Sequence, residues 1–206
     1  MAASVPTLHY LELGSLGRGE VVRLFLRDAG IEFKDIRNAY DDTWPATSQK
    51  LKEQGITKTG KVPALEYKGL ILNQHIPILR FLSRDLGSYD GETNEEKFIV
   101  DAVADIYIDW RSAWVAQLSA KTEEYKTKTV PEFHKVVAQY YAKSNGPFLL
   151  GDKVTYADFA IFQSIDNDTK IGTLPAELPE ELKKMKAALE ARPRVATYLK
   201  EREAKK

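Results

Sequence analysis

The chain has 206 residues, enough for one large or two small domains with a sizeable core. Its 30 basic and 30 acidic side chains cancel, so no whole-molecule field draws it onto nucleic acid or an anionic membrane. It holds no cysteine, which excludes disulfides, thiolate metal sites and a cysteine nucleophile, so any thiol chemistry must bring its thiol with the substrate.

From the start, "MAASVPTLHYLEL" shows no basic region ahead of a long apolar run, and no stretch of about 18 apolar residues follows anywhere. The chain therefore reads as soluble and cytoplasmic. "TLHYLEL" alternates like a strand, residues 18–29 carry helical periodicity ending at Gly30, and "IEFKDIR" returns to alternation, giving a β-α-β unit. After a longer polar loop, "PALEY" and "LILNQ" flank the turn Lys68-Gly69, and residues 75–86 form a helix stopped by Gly87. Apolar periodicity lapses in "RDLGSYDGETNEE" at 84–96, where the domain boundary is placed: 1–84, a linker over 85–92, then 93–206.

The second half reads as wholly helical. Thr93 to Glu96 has capping-box spacing ahead of a periodic stretch through Leu118, and further helices are expected over 122–143, 155–166, 179–190 and 194–203. No repeat or low-complexity tract is visible, and the lysine-rich end reads as a solvated helix face.

Local motifs narrow the chemistry. The glycines of "GSLGRGE" do not make a phosphate loop, because no Gly-Lys-Ser/Thr follows and Glu20 would repel phosphate. His9, His75 and His134 lack metal-ligand spacing, so no metal is expected. Asp101, Asp105 and Asp109 recur every four residues and form one acidic column on a helix, tolerable on a solvated face at about 0.2–0.5 kcal/mol per pair. Thr155 and Asp158 have capping spacing in "GDKVTYADFA".

"GRGEVVRLFLRDAGIEFKD", "GKVPALEYKGLILNQ", "LLGDKVTYADFAIF" and "ARPRVATYLKER", in that order, resemble the glutathione transferase superfamily over nearly the whole chain. "LHY" and "GRGE" near the start are most similar to its alpha, mu, pi and sigma branch. The resemblance implies a thioredoxin-like α/β domain followed by an all-α domain, with glutathione as co-substrate, an apolar small-molecule electrophile as its partner in a detoxification reaction, and a homodimer. A glutathione-dependent isomerase or peroxidase, or a relative that binds without catalysis, stays open on the same fold.

The resemblance also implies a site. Read alone, Pro63 would open an edge strand. In the family motif the Val62-Pro63 bond is cis and offers the Val62 backbone to the cysteinyl backbone of glutathione, with Lys61 just before it. Gln74 and His75 stand at a helix entrance, where free N–H groups receive the γ-glutamyl carboxylate. The family's usual second residue there is serine, and the His75 ring can donate, crowd the anion or point elsewhere. Trp44 and Lys50 match the grip on the glycyl carboxylate, with Lys52 and Lys58 as alternatives to Lys50. Asp109 matches an aspartate that reaches the γ-glutamyl amine across a dimer interface. Tyr107, Trp110, Arg111 and Trp114 are expected to line the electrophile pocket, although such aromatics also pack cores.

The thiol must be activated by Tyr10, Ser15 or Arg18. Aligned without a gap from "GRGE", the family's tyrosine falls on Glu12, an anion that would repel a thiolate. A loop two residues longer puts Tyr10 there, and this alignment is preferred. Ser15 is the rival of Tyr10, and Arg18 resembles an arginine that supplies positive field near the sulfur.

Overall fold

The computed structural model describes residues 5–204, which divide into two compact units. One runs to Leu82 and takes in the chain from Thr197 on; the other is Ser83–Ala196.

In the first unit, strand β1 (Thr7–Leu11) leads to helix α1 (Arg18–Asp28), β2 (Lys34–Asn38), α2 (Trp44–Glu53), the hairpin β3 (Ala64–Tyr67) and β4 (Leu70–Asn73), and α3 (His75–Leu86). The sheet order is β2-β1-β3-β4, with β1 parallel to β2 and antiparallel to β3. This is the thioredoxin-like order that the sequence implied. Period-two alternation buries Leu8 and Tyr10 on one face of β1, and Val21, Val22, Leu24, Phe25 and Leu26 close α1 into the core. Helix α2 falls where the sequence read as polar loop. Its only fully buried residue is Leu51, so there is no apolar stripe to read, although Pro45 in its first turn marks the start.

A charged cluster ties α1 to β2. Arg23 is 1% exposed and grips Asp35 with bonds of 3.0–3.1 Å, while Arg37 adds one of 2.8 Å. Burial pushes the Asp35 carboxyl up, but the bonds and charges of Arg23 and then Arg37 outweigh it and hold the group below its usual range.

The second unit is helical: α4 (Asn94–Ala116), α5 (Val130–Tyr141), α6 (Tyr156–Ile171), α7 (Glu180–Glu190) and the start of α8 (Pro193–Glu203). The expected capping box opens α4, with Thr93 Oγ1 accepting from the Glu96 N–H and Glu96 Oε2 from the Thr93 N–H. The helix expected over 122–143 is interrupted, because a π-turn at Tyr125–Thr129 precedes α5 and Pro131 withholds an N–H there. Helix α6 runs past the expected end to Gly172, whose φ of 75° forms a left-handed cap.

The C-terminal turns of α8 group with the first unit rather than with the helical one, where the sequence placed them. The cause is Glu20 on α1, which is fully buried and accepts from the Tyr198 hydroxyl at 3.0 Å and from Arg202 Nη1 at 3.0 Å.

His134 on α5 is 1% exposed, and both its ring nitrogens are buried without a hydrogen-bond partner. Burial pushes its pKa from 6.5 down to about 4. Between those values the unfolded chain takes up a proton that the folded chain refuses, so stability present above pH 6.5 is lost as the pH falls. The full loss is about 3 kcal/mol. Denaturant titrations from pH 7 to 4 should show wild type losing that much relative to His134→Leu, and a pH-independent difference would contradict this.

Candidate active site

The end of β1 and the start of α1 fit around one side chain. The Tyr10 ring lies against Gly17 and Gly19: a Cβ on Gly19 would come within 2.3 Å of Tyr10 Cγ, and one on Gly17 within 2.4 Å of its hydroxyl. Only glycine permits that approach, and Gly17 also has a φ of 83°. Tyr10 is 3% exposed, and its hydroxyl accepts the Arg18 N–H, the first of α1, at 2.7 Å. That bond uses a lone pair and leaves the hydroxyl proton to donate elsewhere.

The register between β1 and β3 pairs Thr7 with Glu66, Leu8 with Leu65 and His9 with Ala64. Carried one step further, it sets Tyr10 across from Pro63. The Val62-Pro63 bond is cis, Val62 is half-buried, and Lys61 ahead of it is exposed.

Glu12 lies beyond the end of β1, with a half-exposed side chain that accepts the Gly14 N–H at 3.3 Å and pairs with Arg37 at 3.3 Å. It is turned toward the end of β2. Ser15 lines a cleft of about 530 Å³ together with Glu12, Arg23, Asp35 and Arg37, whose walls include no residue of β3 or α3. The Arg18 side chain is partly exposed and pairs with no carboxylate among the described residues.

At the entrance of α3, Gln74 is exposed and holds a φ of 70°, a left-handed conformation that costs a residue with a side chain about 1–3 kcal/mol. Its C=O accepts the Ile78 N–H at 2.9 Å and so starts the helix. The His75 ring is 2% exposed and packed inward. What remains at this corner is backbone. Pro77 has no N–H, so the Ile76 amide is a donor at the positive end of the helix. Nothing in the sequence singled out Ile76.

Trp44 opens α2 half-buried, and Lys50 is exposed six residues on, about 120° away around the helix axis. Lys52 runs its aliphatic stem beside Gly60, where a Cβ would lie 3.2 Å from its Cδ, and Lys58 is exposed.

In the helical unit, Asp105 and Asp109 are exposed on α4. Asp101, which the sequence left on a solvated face, instead accepts the Tyr156 hydroxyl. The four residues expected to line a pocket are built into this unit's packing: Tyr107, Trp110, Arg111 and Trp114 are 0, 2, 5 and 0% exposed. Tyr107 donates to Gln163 at 2.7 Å, Trp110 to Asp168 at 2.8 Å, and the Arg111 guanidinium lies over the Trp114 ring at 4.5 Å. Their spacing of three to four residues is that of the stripe turned toward α6, and a core stripe and a pocket wall look alike in sequence. Asp168 also accepts from Tyr125 at 3.0 Å and Thr173 at 2.6 Å, and burial pushes its pKa up. Among the described residues no group of His, Asp or Glu could hold a metal ion, and no helix is long and apolar enough to cross a membrane.

Residues 108–202 match the family model described as "Glutathione S-transferase, C-terminal domain". The chain is 33% identical to the probable glutathione S-transferase 9 of Caenorhabditis elegans, over 83% of this chain and 86% of that one. It is 29% identical to glutathione S-transferase P 10 of the same organism, over 98% and 94%. Among solved structures, the pi-class glutathione S-transferase of Onchocerca volvulus superposes with a TM-score of 0.84 at 26% identity, covering 98% of this chain and 95% of that one.

Proposed function

The chain belongs to the glutathione S-transferase superfamily and is a glutathione transferase, and on that premise we propose that Tyr10 is the hydroxyl that holds the glutathione thiol as thiolate for attack on an apolar electrophile. The observation that carries this reading is the β1–β3 register, which ends with His9 opposite Ala64 and so supports a place for Tyr10 beside Pro63, the next residue on each side. The bond from the Arg18 N–H supports it, because it fixes the hydroxyl and leaves its proton free for the sulfur. A thiol of pKa about 8.5 is mostly protonated at neutral pH. Lowering that pKa by about two units takes roughly 2.7 kcal/mol, within reach of one or two charge-assisted hydrogen bonds. The uncommitted charge of Arg18 adds to the same field.

Glutathione then lies along the Val62 backbone. Its γ-glutamyl carboxylate meets the Ile76 amide beside Gln74, and its glycyl carboxylate meets Trp44 and Lys50, with Lys61 adding positive charge. Asp109 is offered to the γ-glutamyl amine of a second subunit. Phe98 is 71% exposed on the same helix. Spacings of 7 and 11 residues bring Asp105 and Asp109 each within about 20° of Phe98, on opposite sides of it, around α4. We assign this face of α4 to the interface of a homodimer. We assign the protein to detoxification in the cytoplasm.

Steady-state kinetics test the assignment, with aryl halides, isothiocyanates and hydroperoxides as electrophiles. Tyr10→Phe should lower kcat/KM about 30-fold, or about 2 kcal/mol, with glutathione affinity little changed. Ser15→Ala should cost less than about threefold. A larger loss in Ser15→Ala than in Tyr10→Phe would move the activating role to the serine.

A further inference from the structure

Between the end of α2 and Val62 the chain runs through a short loop, residues 54–61, in which one buried hydroxyl holds the backbone. Thr57 is 2% exposed, and its hydroxyl donates to the Lys61 C=O at 2.8 Å while accepting the Thr59 N–H at 3.3 Å. The Thr59 hydroxyl in turn accepts the Lys61 N–H at 3.3 Å, so both sides of Lys61 are held. Resting on the assignment of glutathione to the Val62 backbone, we propose that Thr57 is a positioning residue that sets the direction of the Val62 N–H before the peptide arrives.

Covalent geometry makes the link. The Lys61 C=O and the Val62 N–H belong to one planar trans peptide unit and point in opposite directions, so a hydroxyl that fixes the first also aims the second. Thr57 therefore acts on glutathione without touching it.

The same loop is tied to the elements that hold the two ends of the peptide. Ser48 of α2 donates its hydroxyl to the Gly60 C=O at 2.7 Å, which joins the helix carrying Trp44 and Lys50 to the chain two residues before Val62. A Cβ on Gly60 would lie 2.6 Å from that Ser48 oxygen, so only glycine lets α2 come this close. The Ile56 N–H donates to the Leu51 C=O at 2.9 Å, and Leu51 is the buried residue of α2. At the other end, Asn73 Nδ2 donates to the Ile56 C=O at 3.2 Å, and Asn73 stands directly before Gln74. Trp44, Val62 and Gln74 are thus spaced by one hydrogen-bonded bracket with Thr57 inside it. A bracket formed in advance spares the ordering cost that binding would otherwise carry.

Calorimetry and steady-state kinetics on the full chain test this. Thr57→Val keeps the shape and removes the hydroxyl, so it should raise both Kd and KM for glutathione about tenfold, leaving kcat at saturating glutathione and the pH at which the bound thiolate titrates unchanged. Thr57→Ser keeps the hydroxyl and should bind within about twofold of wild type. Tyr198→Phe removes one hydrogen bond elsewhere in the same unit and should leave KM unchanged. Amide exchange on wild type gives a second measurement that needs no variant to fold: the Thr59 N–H should be protected in the free protein as it is with glutathione bound. Thr57→Val binding as tightly as wild type would overturn this role alone, as would a Thr59 N–H that exchanges like unstructured chain until glutathione is added. Equal losses in Thr57→Ser and Thr57→Val, or a rise of KM in Tyr198→Phe as large as in Thr57→Val, would also overturn it, because general loosening would then explain the effect. Wild type that binds no glutathione would overturn the assignment of glutathione to Val62 and this role with it.

Discussion

Asp158→Ala is expected to destabilise the protein by about 4 kcal/mol, enough to lower Tm by about 12 °C or to prevent accumulation of folded chain. Asp158 is fully buried at the first turn of α6 and accepts four hydrogen bonds. The donors are the Thr155 N–H at 2.6 Å, the Thr155 hydroxyl at 2.8 Å, the Leu149 N–H at 3.0 Å and the Tyr141 hydroxyl at 2.8 Å. Alanine would orphan all four in a place that water does not reach, each at about 1–3 kcal/mol. Burial pushes the carboxyl pKa up, partly offset by those bonds, and the Tyr141 hydroxyl is raised by the same burial and by the Asp158 charge. Asp158→Asn keeps the shape but turns an NH₂ group toward donors, so it should lose about half as much. Urea denaturation with an unchanged slope and a midpoint shifted by less than about 0.5 kcal/mol in Asp158→Ala would show that these bonds contribute little.

Glu20→Ala is the second large effect, at about 3–5 kcal/mol. The Glu20 carboxylate lies between Tyr198 and Arg202 of α8 and is 3.6 Å from Arg23 Nη1. Removing it leaves the guanidinium groups of Arg23 and Arg202, 1 and 14% exposed, without the anion between them. Glu20→Gln keeps an acceptor for the Tyr198 hydroxyl and isolates the contribution of charge. Tyr198→Phe removes one hydrogen bond and should cost about 1 kcal/mol. In a double-mutant cycle, Glu20→Ala and Tyr198→Phe should couple by more than about 0.5 kcal/mol. Additive losses would mean that the bond holding α8 to α1 carries no energy.

Most of the fold was legible because alternation and helical periodicity follow directly from which face of an element is buried. Helix α2 was not, since it buries only Leu51 and offers no stripe. The interruption before α5 comes from a proline that also suits a helix start, and the sequence does not say which of these it is. The site divides in the same way. Pro63, Gln74 and the glycines around Arg18 were visible as local motifs with a backbone meaning. The choice between Tyr10 and Glu12 was not legible, because the number of residues before α1 allows either; the register, which runs to His9 opposite Ala64, is what favours Tyr10 in our proposal. The inward turn of His75 was hidden because a helix entrance exposes one residue and buries the next. Glu20 and Tyr198 are 178 residues apart, and no local pattern joins them. The spacing of Tyr107, Trp110 and Trp114 serves a core as well as a pocket, and the three are buried.

The most direct test of the central assignment is the ultraviolet absorbance of bound glutathione thiolate, followed against pH at saturating glutathione in wild type and in Tyr10→Phe. Wild type should show the thiolate titrating about two units below the free thiol's pKa of about 8.5, and Tyr10→Phe should return the titration most of the way to that value at unchanged glutathione affinity. Saturable binding with no thiolate signal in wild type, or titration at the same pH in both proteins, would contradict the role assigned to Tyr10.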